Sequence, residues 1–303
     1  MSRIGPIGRR PAVLVCAAAL ALTACSASRG SATGRPAGHV RQASGTAEQT
    51  LRLAEQLLIK SCMEKHGYRY WVEQEDGEDG GNSARRFPYV VDDLAWATAH
   101  GYGNDLRRER QKEVEHDPNQ RYFRSLPADR RTGALSAVNG PRPRGLSARL
   151  PTGQLVTHSD QGCTAEAERA LYRDLSSWFR ATRVTDSLAG LRVGLVLDDR
   201  RYRSATGPWS RCMRGKGHTY GSPAEARAAA TAPGNEWPHG KEVRLASAEA
   251  SCARSSGLAA VARTLDAEYR SRLARSRPRE TADRARLARE ALPRARAVIA
   301  RTG

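Results

Sequence analysis

Apolar residues recur every three or four positions along most of the chain, and the intervals between these runs carry the Gly, Pro, Asp and Ser that punctuate helices. The first run predicts a helix over 46–66, with Leu51, Ala54, Leu57, Leu58 and Met63 at helical spacing. Gly67 follows where a helix C-cap takes positive φ. A polar, Gly-rich loop is read at 74–86, then a short helix over 93–100 ahead of Gly101-Tyr102-Gly103. Asp117-Pro118 and Ser125-Leu126-Pro127 mark two more helix starts, the second running to Val138 before Gly140. Leu150-Pro151-Thr152-Gly153 stands between two short extended stretches and predicts a small β-hairpin.

Helical spacing resumes over 160–181, where Cys163, Ala167, Leu171, Leu175 and Trp178 form the inward stripe. Further helices are predicted over 186–197 and 199–214. The latter carries Tyr202, Ala205, Trp209 and Cys212 on one face, with a kink or a true start at Pro208. Ser222-Pro223-Ala224-Glu225 is a capping box with Pro at the first helical position. After a loop at 231–240, one long helix is expected over 241–275, with Val261, Leu265, Tyr269 and Leu273 on a face. Pro278 interrupts it. The tail over 280–301 is helical by composition, with Ala285, Ala288, Leu292 and Ala295 at helical spacing and a kink expected at Pro293.

The N-terminus follows a different logic. Arg3, Arg9 and Arg10 precede an apolar stretch from Pro11 to Leu22, the layout of a secretory signal and too short to span a bilayer. Leu22-Thr23-Ala24-Cys25 then resembles the bacterial lipoprotein signal, the lipobox. That resemblance implies diacylglyceryl transfer to the Cys25 thiol, cleavage before it, and a lipid-anchored protein on the extracytoplasmic face of the cell membrane. Two or more acyl chains give stable attachment. Residues 26–45 are rich in Ser, Ala and Gly and read as a flexible tether.

Composition fits export. Cys16 leaves with the signal and Cys25 is committed to lipid, so Cys62, Cys163, Cys212 and Cys252 remain, an even number in a compartment that permits disulfides. None is spaced as Cys-x-x-Cys. Hydrophobic residues make up 39% of the 303, which predicts solvated helices and loops around a modest core. The formal charge is +18, of which three belong to the signal. Only five of the fifty basic residues are lysine, an Arg-rich bias typical of a GC-rich genome. A basic exported chain meets lipid headgroups and acidic wall polymers; nucleic acid is not expected as a partner.

An internal repeat organises the cysteines. Cys62-Met63-Glu64-Lys65-His66-Gly67-Tyr68-Arg69-Tyr70 matches Cys212-Met213-Arg214-Gly215-Lys216-Gly217-His218-Thr219-Tyr220 at Cys, Met, Gly and Tyr. Apart from the initiator, both methionines directly follow a cysteine. Each unit is read as a helix ending in this motif and a later helix that brings a second cysteine alongside. Of the three connectivities four cysteines allow, the simplest is Cys62–Cys163 with Cys212–Cys252. The expected fold is mainly α: antiparallel helix pairs stapled by disulfides in two related units, with one small β-hairpin. The chain divides into a signal (1–24), a lipidated tether (25–45), a first unit with a long insertion (46–183), a second unit (184–277) and a basic C-terminal helix (278–303).

This double pattern resembles an uncharacterised family of exported actinobacterial proteins with paired Cys-Met-x-x-x-Gly helices. The likeness rests on the two Cys-Met motifs, Gly101-Tyr102-Gly103, Asp117-Pro118-Asn119, and Gly162-Cys163 followed by Ala165-Glu166-Ala167. It covers most of 46–275 and implies architecture and compartment, not chemistry.

Catalytic spacings are missing. The sequence has no His-Glu-x-x-His, no Gly-x-Ser-x-Gly, no phosphate-binding Gly-x-x-x-x-Gly-Lys-Ser/Thr and no Gly-x-Gly-x-x-Gly. Its seven histidines are scattered, so no metal set and no cofactor are expected. Asp92-Asp93 and Asp198-Asp199 read as acids at helix N-termini, because neighbouring helical positions face different directions. Tyr68, Tyr70 and Trp71 read as a packed turn before a ligand platform. The best candidate binding surface is the arginine-rich stretch from Arg270 to Arg301. The expectation is a non-catalytic binding or structural module at the cell envelope, partnered by membrane lipid through Cys25 and by anionic wall polymer or headgroups. The alternative is an envelope hydrolase or transferase with a carboxylate site, such as Asp92 or Asp93 opposite Glu166.

Overall fold

A computed structural model of the chain describes residues 46–72, 87–235 and 237–302. The signal, Cys25, the tether and the loop at 74–86 lie outside them. Helix α1 (Ala47–Lys65) starts on a full capping box, with Thr46 Oγ1 accepting from Gln49 N while Gln49 Oε1 accepts from Thr46 N. Short helices follow: α2 (Leu94–His100), α3 (Asn104–His116), α4 (Pro118–Ser125) and α5 (Ala128–Asn139). The expected hairpin is present as β1 (Gly145–Arg149) paired antiparallel with β2 (Leu155–Ser159), Leu146 opposite His158. Then come α6 (Cys163–Tyr172), α7 (Leu175–Asp198), α8 (Arg200–Gly215), α9 (Pro223–Thr231), α10 (His239–Ser255), α11 (Leu258–Ser276) and α12 (Pro278–Thr302).

Two disulfides staple this framework, Cys62–Cys163 and Cys212–Cys252, with Cα separations of 5.5 and 5.6 Å. The first ties the end of α1 to the start of α6. Leu51 near the start of α1 shares a cluster with Leu171 near the end of α6, so the two helices run antiparallel. The second ties the last turn of α8 to α10. Both Cys-Met motifs form the same helix end. Gly67 and Gly217 take φ of 75° and 83°. The residue after each glycine donates to the methionine carbonyl, Tyr68 N to Met63 O and His218 N to Met213 O, both at 2.9 Å. Each methionine side chain is buried in its own cluster, Met63 beside Cys62 and Met213 beside Cys252. The repeated Cys-Met-x-x-x-Gly is therefore a C-cap that presents a cysteine to a neighbouring helix.

Two glycines show how differently this framework tolerates a side chain. At Gly217 an added Cβ meets nothing within 4 Å, so Gly217→Ala is expected to cost only the left-handed backbone, about 1–2 kcal/mol. At Gly162, with φ of 90°, an added Cβ would lie 2.3 Å from Gly140 N. Gly162→Ala should cost more than Gly217→Ala, and a comparison of urea midpoints checks the order.

The largest cluster lies among α8, α10 and α11, with Trp209, Met213, Leu245, Leu258 and Leu265 at its centre. A second lies among α1, α6 and α12, and joins Leu51 and Ala54 to Leu287, Ala291 and Ala295. Helix α7 packs on α11 and α12 and supports β1. It crosses position 183–184, so the two units share a helix. Thr182 and Thr185, which look like a break in the sequence, return their hydroxyls to Trp178 O and Ala181 O and stay helical. The real break falls earlier. Arg173 has φ of 65°, and Asp174 caps α7 by accepting from Ser177 N at 3.0 Å. The single helix expected over 241–275 is likewise two, divided at Gly257 with φ of 81°. Pro208 and Pro293 both lie inside continuous helices.

Candidate functional site

Most of the sequence motifs resolve into structural joints. Gly101 takes φ of 59°, and an added Cβ there would meet Glu242 Cγ at 2.7 Å. Tyr102 N then donates to Glu242 Oε1 at 2.7 Å, while the Tyr102 hydroxyl donates to Glu249 Oε2. Glu249 Oε1 accepts from Val91 N at 2.8 Å. Two fully buried acids of α10 thus clamp the segment on either side of α2. Burial pushes the Glu249 carboxyl up to about 7, against the Tyr102 hydroxyl, the Val91 N–H and the charge of Arg227. Tyr102 is itself raised, first by burial and then by Glu249. Asp117 caps α4 through Asn119 N and Gln120 N. Asn119 grips the Trp71 backbone from both sides, at 2.8 and 2.9 Å.

The acids singled out in the sequence are not brought together. Asp92 pairs with Arg263 at 2.6 Å, and Asp93 caps α2 through Trp96 N. Asp199 caps α8 and is held well below the usual carboxylate range by Arg201. Glu166 lies far along the chain beside the first disulfide, its Oε2 3.4 Å from Cys62 Sγ. Ala165 and Ala167 flank it and are buried, which turns Glu166 outward. Tyr68 is buried with the Arg130 guanidinium 4.5 Å above its ring, and Trp71 meets Tyr122 edge-on. Of this cluster Tyr68 packs into the turn, Tyr70 is half-buried and Trp71 stays exposed.

Two features escaped sequence reading. Glu55 on α1 is pushed up to about 7, first by burial and next by Glu168 on α6. Glu168 is also raised by burial, although Arg183, His158 and Trp178 favour its charge. Tyr172 stacks on Trp178 beside them, with ring centroids 3.5 Å apart. The legible signal was an acid inside an otherwise apolar or small-residue stripe, as at Leu51, Ala54, Glu55 and Leu58. The second feature is a cleft of about 720 Å³ beside the first disulfide, walled by His66, Tyr68, Asp160, Gln161, Glu166 and Arg169. It opens where α1 ends, α6 begins and the hairpin returns. Arg169 donates to Asp160 O at 2.6 Å across its rim.

The basic C-terminal helix is built into the fold. Leu287, Ala291, Ala295 and Val298 pack inward, and Arg294 donates to Leu171 O at 2.5 Å. Arg279, Arg286, Arg289 and Arg296 recur at i, i+7, i+10 and i+17 and share an exposed stripe on the opposite side. Among the described residues, Arg279, Arg289 and Arg296 have no acid within ion-pair distance, whereas Arg286 is paired with Asp283 and Glu290. No helix of the described residues is long and apolar enough to cross a membrane. The chain matches no family model, no curated protein and no solved structure.

Proposed function

We propose that the chain is an extracytoplasmic lipoprotein, anchored through Cys25, that acts as a non-catalytic binding module at the cell envelope. The arginine stripe of α12 is the contact surface, and anionic headgroups or acidic wall polymer are its ligands. The observation that carries this reading is the division of α12 into a packed face and an arginine face about 25 Å long, on which Arg279, Arg289 and Arg296 have no acid within ion-pair distance among the described residues while Arg286 is paired. Such a row gains from a linear array of anions, and screening by salt weakens the contact. The two disulfides fit an oxidising compartment.

The test uses the full chain and its Cys25→Ser variant with vesicles of phosphatidylglycerol or phosphatidylcholine. The unlipidated Cys25→Ser variant should bind the anionic vesicles at low salt and not the zwitterionic ones, whereas the lipidated wild type should attach to both through its acyl chains. Arg279→Gln with Arg289→Gln and Arg296→Gln should lose about 1 kcal/mol per arginine removed. In cells, Cys25→Ser should leave the membrane fraction on washing at high salt, whereas the lipidated wild type should stay. Equal binding of the Cys25→Ser variant to both vesicle types, or its indifference to the three substitutions, defeats the surface assignment.

The disulfide cleft favours a second reading, since Asp160 and Glu166 both line it. An envelope hydrolase built there would release soluble wall fragments and lose that activity in Glu166→Gln.

A further inference from the structure

We propose that the first disulfide doubles as a latent zinc site, formed when Cys62 and Cys163 are reduced, with His66 and Glu166 completing the ligand set. Both sulfurs and a His66 ring nitrogen already lie within 4.8 Å of one another. Glu166 Oε2 is 3.4 Å from Cys62 Sγ. The spacing explains the convergence. His66 follows Cys62 by four residues at the end of α1, and Glu166 follows Cys163 by three in the first turn of α6. Each helix thus offers two ligands on one face, and the two faces meet. Two thiolates, an imidazole and a carboxylate suit tetrahedral zinc, a borderline-soft ion. Cys163 is fully buried, which keeps water from one side, while the 720 Å³ cleft lined by His66 and Glu166 gives the ion a way in.

The second staple is the natural control. The repeat places Lys216 where His66 stands. Three residues after Cys252 comes Ser255, whose Oγ is 3.8 Å from Cys212 Sγ. That staple has the same cysteines and helix end without the nitrogen and oxygen ligands. The chemistry balances. A dithiol reductant gives two electrons and two protons to the Cys62–Cys163 bond and itself closes to a disulfide. The divalent ion then displaces both thiol protons to solvent, and neutral His66 and ionised Glu166 supply lone pairs. The α1–α6 junction is then held by metal in place of the covalent bond.

The full chain is reduced with excess dithiothreitol, desalted under nitrogen and titrated with Co²⁺, followed by Zn²⁺. The expected result is one Co²⁺ per chain with thiolate-to-cobalt charge-transfer absorption, lost on adding Zn²⁺ and not seen before reduction. Cys212→Ser with Cys252→Ser should keep the band. His66→Lys with Glu166→Ser copies the second staple at exposed positions and leaves every cysteine in place. It should weaken cobalt binding about tenfold or more. The proposal is overturned if the reduced wild type shows no thiolate band, or if this double variant binds cobalt as tightly as wild type.

Discussion

Replacing Cys62 and Cys163 together with alanine is expected to lower the unfolding free energy by about 4–5 kcal/mol, and replacing Cys212 and Cys252 by about 4 kcal/mol. The sequence separations of 101 and 40 residues set this order, because the longer closed loop removes more freedom from the unfolded chain. Total stabilities of 5–15 kcal/mol are usual, so either loss leaves its helix pair marginal. The first staple joins α1 to α6 beside a smaller cluster and the cleft. The second sits beside the largest cluster and has more packing to fall back on. Guanidinium titration followed by far-UV circular dichroism reads both. A loss below about 1 kcal/mol for either pair would show that packing alone carries the fold.

The second large effect concerns Glu249. Its folded carboxyl lies at about 7, above the ordinary 4.5, so the folded state binds a proton that the unfolded state has already released over the interval between them. Stability from this group is therefore complete below pH 4.5 and is lost as pH rises through 7. Glu55, also raised to about 7, acts in the same direction. Thermal scans of the wild type should show a midpoint that falls between pH 5 and 8. Glu249→Gln keeps an acceptor for Val91 N and offers its amide to the Tyr102 oxygen. It should match or exceed the wild type at pH 8 and flatten the pH slope. Glu249→Ala leaves two buried groups without partners and should cost about 2–4 kcal/mol at any pH. A wild-type midpoint that rises steadily from pH 5 to 8 would contradict the assignment.

Much of the fold was legible because its signals are local. Asp93, Asp117, Asp199 and Ser222 all cap the helices they announce. Gly67 and Gly217 end their helices with the expected positive φ, and the hairpin turns at Leu150–Gly153. The disulfide pairs are the simplest of the three connectivities that the four cysteines allow. The pattern was silent on α3, whose thirteen residues bury none of their number, so no hydrophobic period marks it. It misplaced breaks where a non-glycine residue takes positive φ, as at Arg173, or where threonines satisfy themselves within a helix, as at Thr182 and Thr185.

The cleft was less legible than the fold. Its walls come from four parts of the chain: His66 at the end of α1, Gly133 and Ala137 in α5, Asp160 after the hairpin and Glu166 in α6. Sequence spacing sees only the Cys62–His66 and Cys163–Glu166 halves, and neither half is a motif until the disulfide joins them. Glu249 and Glu242 gave a sharper hint. Both share the inward stripe of α10 with Leu245 and Cys252, where acids are costly unless backbone donors meet them.

The decisive measurement is mass spectrometry of a non-reducing digest of the native protein recovered from cell envelopes. Peptides joining Cys62 to Cys163 and Cys212 to Cys252, together with an N-terminal Cys25 carrying diacylglycerol, are the expected result. An unmodified N-terminus, free thiols at the four cysteines, or a crosslink from Cys62 to Cys212 would contradict the picture of an anchored, twice-stapled helical module.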